Sequence, residues 1–213
     1  MAQGRFITFE GGEGAGKSTQ IRLLADELQR RGLSVSITRE PGGSEGAEQI
    51  RRLLVEGDPG RWDSMTEALL NFAARRDHVA RKVWPALAEG QWVLCDRFAD
   101  STLAYQGYGH GLPLHAIEQL YDMTLGAFVP DLTLILDIAV EDGLRRANGR
   151  GGQENRFERM GSAFHQRLRQ GFLEIARHHP ERCAVVRADV PLEEVRQAVL
   201  RVVESRLAIP GAS

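Results

Sequence analysis

Short apolar runs alternate with stretches of helical periodicity along the whole chain. Runs at residues 5 to 9, 33 to 38, 91 to 95, 132 to 136 and 183 to 187 read as strands. Continuous apolar stretches such as Leu132-Thr133-Leu134-Ile135-Leu136 suit strands covered on both faces. Between them, Ile21, Leu24, Ala25 and Leu28 recur at helical spacing and predict a helix over 18 to 31, closed at Gly32. Further helices are expected at 45 to 56, 64 to 89, 113 to 127, 139 to 148, 160 to 178 and 191 to 207, that over 64 to 89 carrying Leu69, Leu70, Ala73, Ala80 and Leu87. The alternation predicts an α/β domain of three layers, a parallel sheet flanked by helices, with ligands at the carboxyl ends of the strands. Residues 149 to 161 break the rhythm: Gly149, Gly151, Gly152 and Gly161 alternate with Arg150, Arg156 and Arg159. Such a segment reads either as a surface loop or as a lid that carries arginines into a phosphoryl-transfer site.

Length and charge narrow the picture. At 213 residues, with no linker, the chain reads as one domain spanning 1 to 213. A net charge of -2 from 27 basic and 29 acidic residues argues against a general nucleic-acid surface, which rests on a basic excess. Two cysteines, Cys95 and Cys183, are too few for a disulfide framework, so a reducing cytoplasm is expected. No run approaches the roughly 18 apolar residues of a membrane span.

The strongest chemical signal is Gly11-Gly12-Glu13-Gly14-Ala15-Gly16-Lys17-Ser18, which fits the phosphate-loop pattern G-x-x-x-x-G-K-[ST] and leads into Thr19 and the first helix. Its glycines let backbone N–H groups surround phosphate oxygens; Lys17 adds a point charge, and the Ser18 hydroxyl can ligate Mg2+. Lysine is otherwise found only at Lys82 among the 27 basic residues, so its use at position 17 is selective. The third strand runs into Asp96-Arg97, a carboxylate for the metal beside a guanidinium for a phosphate; Asp137, ending the fourth strand, is the rival for the metal. Glu13 is anomalous. Unit charges about 5 Å apart repel by roughly 3 kcal/mol at an effective dielectric near 20, so this carboxylate should turn from the triphosphate toward cations or a hydroxyl. Arg39, in Arg39-Glu40-Pro41-Gly42-Gly43, can meet an anion. Phe72 and Arg76, four apart on a helix, can stack a base and bond its edge. Ser101, Thr102, Tyr105 and Gln106 offer hydroxyl, phenol and amide groups to a nucleoside.

Together these segments resemble the thymidylate kinase family, of the bacterial-like type with its catalytic arginine in the lid. The similarity runs from Phe9-Glu10-Gly11 through Thr38 to Gly43, Phe72 to Arg76 and Asp96-Arg97-Phe98 to Ser101 to Gly107. It implies a phosphate-loop nucleoside monophosphate kinase fold with a five-stranded parallel sheet, and transfer of the terminal phosphoryl of ATP to dTMP. On that resemblance Gly11 to Thr19 hold ATP, Ser18 and Asp96 hold Mg2+, and Arg39 and Arg97 hold the dTMP phosphate. Glu13 meets the sugar 3'-hydroxyl, Phe72 stacks on thymine, and Arg76 bonds its carbonyl edge. Ser101 and Thr102 approach the base, while Tyr105 fills the space of a ribose 2'-hydroxyl. Lys17, Arg97, Arg150 and Arg156 are the expected catalytic residues, within a lid of about 145 to 161. Asn155 stands where many relatives have Asp, which leaves open which lid arginine reaches the phosphoryl. A homodimer is implied as well. The alternatives are a kinase for another nucleoside monophosphate or a deoxynucleoside, and an ATPase switch without a small acceptor; the N-K-x-D of GTPase switches is absent.

Overall fold

In the computed structural model, which describes residues 4–58, 60–148, 157 and 160–209, the five apolar runs pair into one sheet. The strands β1 (Arg5–Glu10), β2 (Val35–Arg39), β3 (Trp92–Asp96), β4 (Leu132–Asp137) and β5 (Cys183–Arg187) are all parallel, in the order β2-β3-β1-β4-β5. Each sequence-predicted strand lies within two residues of its observed position. Order reverses around β1, so the crevice at its carboxyl end is the topological switch point where such sheets bind ligands.

Side-chain alternation along β1 feeds two cores. Ile7 and Phe9 pack with Leu24 and Leu28 of α1 (Lys17–Arg30) and Val199 of α9 (Leu192–Arg206). Phe6 points the other way, edge-on to Phe98 at 4.9 Å and stacked on Phe128 at 5.5 Å. That second face is covered by α3 (Ser64–His78), α6 (Leu114–Leu125) and α8 (Ser162–His178), with α2 (Glu45–Val55) lying on α3 and α7 (Val140–Asn148) on α8.

The helix predicted over 64 to 89 is interrupted. It runs as α3, a π-helical turn over Val79–Val83 and α4 (Trp84–Ala88). Pro85 lacks an N–H and its ring crowds the preceding turn; the helix widens there, with Trp84 N–H bonded to Val79 O. A helical segment unforeseen in the sequence follows β3: α5 (Ala99–Thr102) continues as a π-helix over Leu103–Gly109.

Glu10 ties the end of β1 to α5. Its carboxylate accepts from Phe98 N at 2.7 Å and Ser101 Oγ at 2.6 Å with no exposure to solvent. Burial and neighbouring Asp100 raise its pKa to about 8, against the lowering pull of Ser101, Arg97 and the Phe98 amide. Between pH 4.5 and 8 the folded chain therefore holds a proton that the unfolded chain has released, so stability falls as pH rises through this window. In Glu10→Gln that component is absent. Urea melts at about pH 5.5 and 8 should show the unmodified chain losing more stability than the variant; equal slopes would remove Glu10 as the cause.

Candidate active site

The phosphate loop follows from β1 and α1 directly. Gly16 caps α1 in the left-handed region at φ 90° with no side-chain cap, leaving the N–H groups that open the helix, those of Lys17 and Ser18, for an anion. Lys17 starts the helix and turns back over the loop, donating to Gly11 O at 3.2 Å and Gly12 O at 3.1 Å. Burial and Arg97 lower the Lys17 pKa, while Asp96, Glu13 and Glu10 oppose the change. Ser18 Oγ donates to Asp96 Oδ2 at 2.6 Å. One hydroxyl and one carboxylate are an oxygen donor set fit for a hard divalent cation that takes its other ligands from phosphate and water. Among the described residues there is no cluster of three or more acidic, His or Cys side chains to form an all-protein cage. The rival Asp137 is already engaged, accepting from Arg169 Nε at 2.7 Å and Nη2 at 2.9 Å.

A cavity of about 300 Å³ opens off the loop, walled by Glu13 to Ser18, Arg39, Asp96, Arg97, Ser101, Thr102 and Tyr105. Glu13 meets a cation and a hydroxyl, as its charge requires, accepting from Arg97 Nη2 at 2.9 Å and Tyr105 OH at 2.6 Å. Burial would raise its pKa; Arg97, Lys17, the Tyr105 hydrogen bond and His165 hold it instead at about 2. Arg97 sits at φ 69°, a left-handed conformation that re-aims its side chain at the end of β3. It donates from Nη1 to Gly11 O at 3.1 Å and Ser101 Oγ at 3.3 Å, and its guanidinium lies 5.0 Å from the Tyr105 ring centroid. Burial disfavours this cation, but Tyr105, Glu13, Asp96 and Glu10 together raise its pKa. Arg39 reaches the cavity half-exposed, in contact with Glu48. Gly11 and Gly12 line a small crevice behind the loop, and Thr19 lies one turn into α1 with its N–H on Gly16 O.

Two expected base contacts are placed elsewhere. Phe72 is fully buried, edge-on to Tyr121 at 6.4 Å, and is not in the cavity wall. Arg76 leans over the Trp84 ring at 4.7 Å and donates to Thr124 O. The reason is helical phase: Ala68, Phe72 and Arg75 form the buried stripe of α3, leaving Asn71 to line the cavity and Arg76 to point out. Arg75, 2 % exposed, is the buried cation of that stripe, behind the cavity wall. Its Nε donates to Glu40 Oε2 at 2.7 Å, and its Nη2 to Phe98 O and to Thr102 Oγ1, on the cavity wall. Its buried Nη1 has no protein partner among the described residues. His78 supports Glu40 from the other oxygen at 2.9 Å and bonds Thr38 Oγ1 at 2.7 Å.

The sequence reading also passed over Arg51 and Phe157 in the wall, while Gln106, whose amide it offered to a nucleoside, is held by a buried carboxylate. Arg51 donates to Pro41 O at 2.6 Å beside Arg39, Gln106 Nε2 donates to buried Glu67 at 2.9 Å, and Phe157 packs edge-on against Tyr105 at 5.2 Å. Arg51 carries a readable signal, a cation one helix after the Arg39 turn. The expected lid residues Arg150, Arg156 and Arg159 lie outside the described residues.

Known proteins place this constellation in context. A family model for thymidylate kinase matches residues 9–199. A thymidylate kinase of Caulobacter vibrioides is 59% identical over 98% of this chain and 100% of its own length, and one from Magnetococcus marinus is 51% identical over 97% and 99%. The crystal structure of thymidylate kinase from Ehrlichia chaffeensis superposes with a TM-score of 0.77 at 36% identity, covering 94% of this chain and 99% of that one. Matched in sequence over nearly its full length and in fold, the chain belongs to the thymidylate kinase family.

Proposed function

We propose that this chain transfers the terminal phosphoryl group of ATP to dTMP, giving dTDP and ADP for DNA precursor synthesis. The observation that carries the reading is the cavity joined to the phosphate loop, where Arg39, Arg51 and Arg97 stand beside the Glu13 and Tyr105 pair. A triphosphatase without a small acceptor has no use for that second pocket.

Phosphoryl transfer asks the protein for alignment and charge compensation more than for covalent chemistry. Lys17 and the amides of the first turn of α1 hold the donor phosphates. Ser18 and Asp96 would hold Mg2+, which when bound neutralises phosphate charge. Arg97, with Arg39 and Arg51, holds the acceptor phosphate, one of whose anionic oxygens forms the new P–O bond while the bond to ADP breaks. That nucleophile needs no general base. Glu13 accepts a hydrogen bond from the sugar 3'-hydroxyl, and Tyr105 closes the space beside it to a ribose 2'-hydroxyl. Arg75, through its free Nη1, takes the base-reading role first expected of Arg76, and Asn71 with Thr102 borders the base. The charge that meets the transferred phosphoryl is assigned to Arg150 and Arg156 on sequence alone. A homodimer is part of this reading: α2 and α3 expose Leu53, Met65 and Leu69, an apolar face for a second copy. Cys95 and Cys183 are free and buried, as suits a reducing cytoplasm, and among the described residues no helix is long and apolar enough to cross a membrane.

ADP release with ATP against dTMP, dUMP, UMP, dCMP, AMP and no acceptor tests the function. Turnover should require an acceptor and be highest with dTMP; acceptor-independent turnover would establish the ATPase, and strong use of UMP would remove the Tyr105 argument. Glu13→Gln loses a charge-assisted hydrogen bond, about 1.5–3 kcal/mol, so the KM for dTMP should rise by about tenfold or more while that for ATP holds. Normal dTMP kinetics would end the sugar assignment. Arg75→Lys keeps the charge beside Glu40 but loses the planar fork. Its kcat/KM for dTMP should fall by about 10- to 100-fold, a cost of about 1.4–2.8 kcal/mol. Arg76→Lys should be close to the unmodified chain, and the reverse ranking would restore Arg76 to the base site.

A further inference from the structure

The phosphate loop and α7 touch backbone to backbone. Gly14, at φ 69°, faces the Gly143 carbonyl so closely that a Cβ placed on it would lie 1.9 Å from Gly143 O. In the opposite sense, a Cβ on Gly143 would lie 2.5 Å from Glu13 O and 3.4 Å from Ile138 Cγ2. Real Cβ atoms essentially never approach within 3.0 Å of another heavy atom, so both positions are closed to a side chain unless one backbone retreats. Gly143 stands in the first turn of α7, its N–H bonded to Ala139 O at 3.0 Å. Behind the contact, Val140, Leu144, His165 and Phe172 line, with the loop itself, a crevice of only about 20 Å³.

Glu13 is therefore fixed from two directions. Its carbonyl abuts Gly143, and its carboxylate accepts from Arg97 and Tyr105. We infer that Gly143 is a positioning residue: by carrying no side chain it lets α7 press against the Glu13 carbonyl, and this contact sets where the Glu13 carboxylate meets Arg97, Tyr105 and the acceptor. The inference rests on the acceptor role of Glu13 stated above. It opposes local propensity, since a Gly→Ala exchange inside a helix ordinarily stabilises it. At Gly143 the added methyl should harm turnover instead.

A double-mutant cycle of Gly143→Ala and Glu13→Gln tests this, read by steady-state kinetics with ATP and dTMP, by binding of a non-hydrolysable ATP analogue and by circular-dichroism melting. Gly143→Ala should remain folded, bind the analogue within about twofold of the unmodified chain and lose about tenfold or more in kcat/KM for dTMP. In the Glu13→Gln background the same exchange should cost little more, because the carboxylate it displaces is already gone. Additive losses, or unmodified kinetics in Gly143→Ala, overturn the inference. If Gly143→Ala does not fold, Val140→Ala, which loosens the same turn, carries the cycle: a loss confined to the Glu13 background supports the coupling, and an additive loss or none overturns it. Absence of dTMP-dependent turnover in the unmodified chain would instead sink the kinase reading.

Discussion

The site depends on keeping the Arg97 cation inside the protein. Removing an ion from water costs several kcal/mol even after relaxation. The Glu13 carboxylate at 2.9 Å returns roughly 6 kcal/mol of attraction at an effective dielectric near 20. Glu13 bears a similar cost of its own, so the attraction offsets only part of the burial of the pair and the other contacts of Arg97 must supply the rest. Gly11 O, Ser101 Oγ and the Tyr105 ring take the remaining faces of the guanidinium, which fixes its direction before any substrate arrives. The left-handed backbone at Arg97 belongs to the same arrangement: an unfavourable conformation is maintained because the surrounding hydrogen bonds over-determine it.

A second layer of polar and ionic contacts secures the turn that carries Arg97. Glu10 holds the Phe98 amide and the Ser101 hydroxyl, Arg75 holds the Phe98 carbonyl and the Thr102 hydroxyl, and Asp100 is gripped by both terminal nitrogens of Arg182 at 2.6 and 2.9 Å. Every residue from Phe98 to Thr102 except Ala99 is thus fixed by a polar or ionic contact to a different element. A short helix of four residues has little stability of its own. Its precision comes from β1, α3 and the start of β5. The same contacts explain why the segment escapes periodicity: its helix is imposed by tertiary partners.

The central strands were legible because β1, β3 and β4 are buried on both faces and carry apolar runs, and the half-exposed edge strands β2 and β5 because short β-branched stretches separate the helices. The phosphate loop and Asp96-Arg97 were legible because their chemistry is local. The buried face of α3 differs from the sequence reading by one helical position. Spacing of four places Phe72 and Arg76 on one face, but cannot say which face is buried; the stripe through Ala68, Phe72 and Val79 includes Arg75 in place of Arg76. Its partner Glu40 lies 35 residues away and His78 38 residues from Glu40, separations that no local pattern reports. Arg51 was hidden differently, as one more arginine on an amphipathic helix, where a solvated face is the ordinary reading.

The composition of the loop itself has a packing cause. Position 14 could offer a cation to the triphosphate only if it bore a side chain, and the space for its first carbon is occupied by the carbonyl of Gly143. That carbonyl oxygen is also the negative end of a peptide dipole, so a cation forced into this space would still have to displace backbone to leave it. The glycine is therefore required by the approach of α7, whatever chemistry the loop performs. The loop is thereby left with Lys17 as its lone cation, in a chain otherwise rich in arginine.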